Sequence, residues 1–215
     1  MDELNGLLEN NRQWAKDRVN KDPDFFKRLS SQHKPKYLWI GCSDSRVPAN
    51  EIIGLQPGQV FVHRNVGNIV AHNDLNCLSA VQYAVDVLGV KHIIVAGHHD
   101  CGAVSAALEK QHHGIVDNWI RVIRDIYIKH EDEMTTCSEH EKIDKLCEFN
   151  VAHQVANLSH TRIVQNAWDR GQELYVHGWI YSIKDGLLHN LDITRSSPSD
   201  VAPIYRVSTD LDFDK

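Results

Sequence analysis

The sequence predicts an α/β fold: a mostly parallel central sheet of four strands plus an edge strand, flanked by helices, with an N-terminal helical arm. Two observations indicate this fold. Four short apolar runs rich in β-branched residues are typical of buried strands, and amphipathic helical patterns separate or flank them. Strands that alternate with helices indicate a parallel sheet with covered faces. The predicted strands are residues 37–42, 59–63, 92–97 and 174–180.

We expect one domain over residues 1–215, because 42% of the chain is hydrophobic and a substantial core can form. Its parts are an N-terminal helical arm (1–35), an α/β core (36–195) and a polar tail (196–215) that is expected to be loosely ordered. The arm has apolar residues at helical spacing and a break at Asp22-Pro23. It could pack on a partner subunit or cover the core of its own chain.

Three helical patterns are predicted within the core, at residues 74–88, 116–130 and 143–168. Each repeats apolar side chains at intervals of three or four residues, which is the spacing of one helix face. Further along the chain, the Asp185-Gly186 dipeptide predicts a turn, and this turn leads into the edge strand.

The composition excludes several classes of protein. The net charge is −6 and the basic residues are scattered, which argues against binding to nucleic acid or an anionic membrane surface. No apolar stretch approaches the roughly 20 residues of a membrane helix. The five cysteines are an odd count, and no secretory signal is visible at the start. We expect a soluble, cytoplasmic protein that acts on small molecules.

Two short motifs at predicted strand ends offer ligands for a soft metal. Cys42 ends the first strand and Asp44 follows it, and His98 and Cys101 follow the third. Ligands bind at the carboxyl ends of strands in such folds. Two thiolates and an imidazole are donors that Zn²⁺ prefers, and catalytic zinc keeps a fourth position exchangeable. We predict one zinc site, with Asp44 filling or vacating the fourth position.

The other cysteines and most histidines are expected to be structural. Cys77 and Cys147 lie on helical patterns, and Cys137 lies in a polar segment without a partner motif. Asp44 and Arg46 are close enough in sequence to pair beside the metal through two charge-assisted hydrogen bonds. The alternative is a surface ion pair, which contributes about 0–1 kcal/mol.

Taken in order, these motifs resemble the β-class carbonic anhydrases over about residues 1–195. The resemblance rests on Cys42-Ser43-Asp44-Ser45-Arg46 with Val47-Pro48, on His63-Arg64-Asn65-Val66, and on Gly97-His98-x-x-Cys101-Gly102. It implies reversible hydration of CO₂ to bicarbonate and a proton, at a zinc held by Cys42, His98 and Cys101. It also implies an active site at a dimer interface, in a homodimer or a homotetramer.

The resemblance further implies that Asp44 and Arg46 are catalytic. In the family the carboxylate accepts a hydrogen bond from zinc-bound hydroxide, and the arginine holds that carboxylate ionised and in place. Zinc is needed because it lowers the pKa of bound water to about 7, so that hydroxide is available at neutral pH.

A finer resemblance, to a bacterial-type subgroup, concerns Trp39, Arg64 and Tyr181. It implies a pocket for a bicarbonate that does not react but favours a closed state, with Asp44 bound to zinc. Hydroxide must displace Asp44, so the closed form should dominate at lower pH. Alternatively, Trp39 and Tyr181 are core aromatics and Arg64 is a structural ion-pair partner.

Two departures from the family pattern affect these expectations. Many members have a Gln nine residues before the first ligand, where this chain has His33 beside Gln32. His99 follows the ligand histidine and is either a neighbour of the metal ligands or a proton carrier. Two other functions stay open: a catalytically weak zinc sensor of bicarbonate or pH, and a hydrolase of carbon disulfide or carbonyl sulfide.

Overall fold

A computed structural model describes residues 2–31 and 34–207 of the chain. The chain divides into two units, Met1–Lys34 and Pro35–Lys215. The first unit contains helices α1 (Asp2–Lys21) and α2 (Phe25–Ser31), which are separated at the predicted Asp22-Pro23 break. Within this unit, Trp14 of α1 packs edge to face against the rings of Phe25 and Phe26.

A five-stranded sheet forms the centre of the second unit, and it confirms the predicted fold class. The strands are β1 (Tyr37–Cys42), β2 (Val60–Asn65), β3 (His92–His98), β4 (Tyr175–Ser182) and β5 (Leu187–Arg195). Their spatial order is β2-β1-β3-β4-β5. The first three pairings are parallel, and β5 pairs with β4 in the antiparallel direction at one edge.

The burial of the strands explains why they are visible in the sequence. β1 and β3 are buried at every position after the first, so both faces need apolar side chains and the runs are continuous. β4 alternates between buried and half-buried positions. Its pattern is therefore that of a strand with one well-covered face.

The described part of the second unit contains eight α-helices. They are α3 (Ala49–Ile52), α4 (Leu75–Gln82), α5 (Gly102–Leu108), α6 (Val116–Trp119), α7 (Arg121–Lys129), α8 (Glu131–Met134), α9 (Glu139–Ser159) and α10 (Arg162–Asp169). The longest, α9, packs against β3 and β4. Val151 of this helix is so near to Gly97 and Gly178 that a Cβ there would be 2.5 or 3.0 Å away. Glycine at these positions lets the helix approach the sheet.

Of the three predicted core helices, the first is found as a continuous helical segment, and the other two are each divided into shorter helices. The 74–88 pattern is α4 followed by a π-helical turn at Tyr83–Val87. The 116–130 pattern is divided at Ile120 into α6 and α7. The 143–168 pattern begins earlier, at the Ser138 capping box, and is interrupted where the Thr161 hydroxyl caps α10.

Beyond β5 the chain is held against α10. Gln165 donates to the Tyr205 carbonyl at 2.9 Å and accepts from the Val207 amide at 2.9 Å. The tail predicted to be loosely ordered is therefore held by hydrogen bonds within residues 196–207, and residues 208–215 lie outside the described residues. No helix within residues 2–31 and 34–207 is long and apolar enough to cross a membrane.

Candidate metal centre

The structure brings Cys42, His98 and Cys101 together at the carboxyl edge of the sheet. Their donor atoms all lie within 4.8 Å of one another, and the two sulfur atoms are 3.9 Å apart. Cys42 ends β1, His98 ends the neighbouring β3, and Cys101 is the residue before α5. All three side chains are buried, at exposed fractions of 5, 0 and 1%.

The hydrogen bonds of His98 show that this cluster fits a metal ion. Its Nδ1 lies 3.0 Å from the His99 carbonyl, which can only accept, so Nδ1 carries the proton. Nε2 then has a free lone pair, and it is buried without a hydrogen-bond partner among residues 2–31 and 34–207. A buried acceptor without a partner costs about 1–3 kcal/mol. Two thiolates and one neutral imidazole are a donor set for Zn²⁺.

The two thiols influence each other. The Cys101 thiol donates to the Cys42 sulfur, which is the largest cause of the lowered pKa of Cys42. The pKa of Cys101 is raised, first because it is the donor in this bond and second because it is buried. One sulfur is thus favoured as a thiolate, and a divalent cation would take the place of the remaining proton.

Asp44 and Arg46 form the predicted ion pair beside this cluster. The guanidinium binds both carboxylate oxygens, with Nε 3.0 Å from Oδ1 and Nη2 2.8 Å from Oδ2, and the Arg46 backbone amide donates to Oδ1 at 2.9 Å. These bonds lower the pKa of Asp44 to about 2. Because Asp44 Oδ2 lies only 3.8 Å from His98 Nε2, the pair adjoins the metal-ligand cluster.

The three residues matched to a bicarbonate pocket lie on neighbouring strands. Trp39 of β1 is fully buried, and its indole N–H has no partner in the part of the chain that the structure describes. Tyr181 of β4 packs against the same hydrophobic cluster as Trp39. Arg64 of β2 donates from Nε to the Cys42 carbonyl at 2.8 Å and from Nη2 to the Asp44 carbonyl at 2.5 Å.

The described residues contain a second group of possible ligands, His63, Asp74 and Cys77, whose donor atoms also lie within 4.8 Å of one another. The amide of Asn65 is fixed because its oxygen accepts from the Ile69 N–H and its nitrogen donates to the Ile69 carbonyl. Its remaining hydrogen is directed at His63 Nε2, 3.3 Å away. The lone pair of the neutral imidazole is therefore in use, and this group does not fit a metal.

Sequence reasoning missed the residues of α9 that contact His99 and Asp100, which lie between the ligands His98 and Cys101. Asp144 accepts from the Asp100 amide at 3.0 Å, and Glu148 lies 3.0 Å from His99 Nε2. More than 40 residues separate these partners in the chain. No local motif marks such contacts, because they depend on how α9 packs on the sheet. His33 and Gln32, where the sequence departs from the family pattern, lie outside the described residues.

Comparison with known proteins gives the family. The family model described as carbonic anhydrase matches residues 37–188. A carbonic anhydrase of Emericella nidulans is 44% identical over 202 residues, which cover 94% of this chain and 88% of that protein. One of Pseudomonas aeruginosa is 38% identical over 176 residues, or 78% of each chain.

Solved structures agree with the sequence relatives. The Coccomyxa β-carbonic anhydrase in complex with acetazolamide superposes with a TM-score of 0.88 at 42% identity, covering 92% of this chain and 90% of that one. A tetrameric β-carbonic anhydrase of Sordaria macrospora superposes with a TM-score of 0.86 at 34% identity, covering 91% of this chain and 100% of that one. The chain therefore belongs to the carbonic anhydrase family and, within it, to the β class.

Proposed function

We propose that this chain catalyses the reversible hydration of carbon dioxide to bicarbonate and a proton, with zinc held by Cys42, His98 and Cys101. The observation that carries the proposal is that His98, a ring nitrogen of which lies within 4.8 Å of both sulfur atoms, has its Nε2 buried without a partner in the described ranges. When bound, zinc would supply the nucleophile, because it lowers the pKa of water to about 7.

Asp44 and Arg46 are the proposed catalytic residues. The pKa of Asp44 is lowered to about 2, above all by the hydrogen bonds from Arg46, so the carboxylate can only accept hydrogen bonds at neutral pH. It can therefore accept a hydrogen bond from the attacking water and direct the oxygen lone pair toward CO₂. Arg46 fixes the orientation of this acceptor by binding both of its oxygens.

We propose in addition that Asp44 closes the site. Its Oδ2 is 3.8 Å from His98 Nε2, so a small rotation away from Arg46 would bring an oxygen among the metal ligands. The carboxylate would then occupy the fourth ligand position and exclude water. Hydroxide is more abundant at higher pH, so its competition with the carboxylate favours the open form there.

Bicarbonate bound near Trp39, Arg64 and Tyr181 is the proposed effector of this closure. The buried Trp39 N–H would gain an acceptor from the anion. Arg64 holds the backbone carbonyls of both Cys42 and Asp44. An anion that attracts the Arg64 guanidinium would therefore act on the segment that carries one ligand and the closing carboxylate.

The test is stopped-flow CO₂ hydration from about pH 6.5 to about pH 9, on protein of measured zinc content, with and without bicarbonate. We expect activity that rises with pH and is suppressed by bicarbonate. Trp39→Phe should lose the suppression, because it removes the N–H and keeps an aromatic ring. Zinc-loaded protein without activity at any pH would contradict catalysis, and activity that does not change with pH would contradict closure by Asp44.

Two other functions receive less support. The similar proteins are named carbonic anhydrases, and none of these names describes a sensor or a hydrolase of carbon disulfide or carbonyl sulfide.

We also propose that the chain assembles as a homodimer or homotetramer, since the similar Sordaria macrospora enzyme is described as tetrameric. A cytoplasmic location remains our proposal from the cysteine content of the sequence.

A further inference from the structure

The loop between β3 and α5 follows one proposed ligand, His98, and ends at another, Cys101, and it has an unusual backbone at Asp100. This residue has a φ of +55°, in the left-handed region that most residues with a side chain avoid. The bend reverses the chain after His98, so that Cys101 returns toward the same point. A conformation of this kind persists where surrounding groups hold it in place.

Side chains from outside the loop hold both peptide groups of Asp100. Its N–H donates to Asp144 Oδ1 at 3.0 Å. Its carbonyl accepts from Arg46 Nη2 at 3.2 Å, and its carboxylate lies 3.4 Å from Arg46 Nη1. The left-handed residue is thus fixed between helix α9 on one side and the arginine that binds Asp44 on the other.

One face of α9 contacts four of the five residues at positions 97–101. Four side chains on this face, spaced at three, four and seven residues, each contact a different residue between positions 97 and 101. The contacts are Val151 with Gly97, Glu148 with His99, Cys147 with the Cys101 amide, and Asp144 with the Asp100 amide. Among them, Asp144 holds the backbone at the one residue of the loop with positive φ.

Asp144 also lies near two basic side chains. Its Oδ2 is 3.9 Å from Lys184 Nζ in the turn between β4 and β5, and Lys184 donates to His140 Nε2, which is 3.6 Å from the same oxygen. The side chain is 23% exposed, so it is partly shielded from water. Oδ1 is the oxygen that accepts from the Asp100 amide.

We propose that Asp144 is a positioning residue for the metal centre. Its hydrogen bond to the Asp100 amide holds the loop in the conformation in which His98 and Cys101 both face Cys42. The inference rests on the proposed function to the extent that a metal binds these three residues. Contacts one step removed from metal ligands typically change metal affinity by about 10–100-fold, and we expect a loss in this range when the acceptor is removed.

The experiment measures how fast zinc passes from the zinc-loaded protein to a chromophoric chelator, a readout that does not depend on activity. We expect Asp144→Ala to release zinc at least about 10-fold faster than the parent. Asp144→Asn keeps an oxygen acceptor at the same place and should release zinc at nearly the parent rate. Glu139→Ala is the matched control, because Glu139 is an exposed acid of the same helix that pairs with Lys142.

Two results would overturn the role of Asp144: release from Asp144→Ala at the parent rate, or release from Asp144→Asn as fast as from Asp144→Ala. If Asp144→Ala does not fold, Asp144→Glu provides the test, since it keeps the charge but displaces the acceptor by one methylene. Faster release from that variant supports the role, and release at the parent rate contradicts it. A parent chain that takes up no zinc would instead contradict the proposed function.

Discussion

Two clusters of this molecule each bring a histidine, a cysteine and a third possible ligand within the same limit of distance, yet only one is suited to a metal. Cys42, His98 and Cys101 form the first, and His63, Asp74 and Cys77 form the second. In both, the donor atoms lie within 4.8 Å of one another. The separation of donor atoms therefore does not distinguish a metal site from a structural cluster.

Hydrogen bonding distinguishes them. His98 donates from Nδ1 to a backbone carbonyl and has Nε2 free for a metal, whereas His63 Nε2 accepts from the fixed amide of Asn65. One sulfur of the first cluster, that of Cys42, differs from the Cys77 sulfur in the same sense. Burial raises the pKa of Cys77 to about 12, while a neighbouring thiol lowers the pKa of Cys42. A neutral imidazole offers one lone pair, and its use by another group removes it from metal binding.

The largest expected effect comes from replacing one sulfur in each cluster. Cys42→Ser should lose zinc and about 10³-fold or more of the CO₂ hydration rate, because a thiolate ligand and with it the source of the nucleophile are removed. Cys77→Ser should retain both zinc and activity at a lower stability, since a hydroxyl replaces a buried thiol. Zinc content by atomic absorption, with stopped-flow rates, checks the pair. Loss of zinc from Cys77→Ser alone would reverse the assignment of the two clusters.

The next effect compares Asp44, the carboxylate beside the first cluster, with Asp74, the carboxylate of the second. Asp44→Asn should keep zinc and lose about 10²-fold in kcat/KM, because the ionised acceptor and its pairing with Arg46 are lost. Asp74 instead caps α4 by accepting from the Asn76 amide at 3.0 Å. Asp74→Ala should therefore cost about 1 kcal/mol of the free energy of unfolding without a change in rate. Equal rates for parent and Asp44→Asn would show that the carboxylate has no catalytic role.

The sequence predicted the strands better than the helices, because the strands at the centre of the sheet are buried on both faces. β1 begins and ends at the predicted residues, because both of its faces are buried and its apolar run has no polar interruption. The 143–168 pattern is divided at Thr161, whose hydroxyl accepts from the Val164 amide, and the 116–130 pattern is divided at Ile120, which is itself apolar. A period of 3.6 residues continues across such a point, so the pattern alone does not show the break.

The candidate site was predictable where its residues are close in sequence. Cys42, Asp44 and Arg46 lie within five residues, and His98 and Cys101 within four, so residue type and spacing were enough to select them. Asp144 was not predictable, because its role depends on the turn of α9 that faces Asp100. The rejection of the His63 cluster also required the structure, since the direction of the Asn65 amide decides it.

The smallest expected effect is on how the stability of the protein changes with pH, and it comes from His63. Burial is the main cause of the lowered pKa of His63, so the folded protein binds its proton less readily than the unfolded chain. His63 should therefore lower the free energy of unfolding as pH falls below about 6.5, where the unfolded chain takes up the proton. His63→Gln should show a shallower loss of stability between about pH 7.5 and about pH 5.5 in denaturant titrations at equal zinc content. If the slope of stability against pH is the same in His63→Gln as in the parent, His63 is protonated to the same extent in the folded and unfolded states. The second cluster would then not contain a neutral imidazole whose Nε2 is already in use, and the contrast with the free Nε2 of His98 would fail.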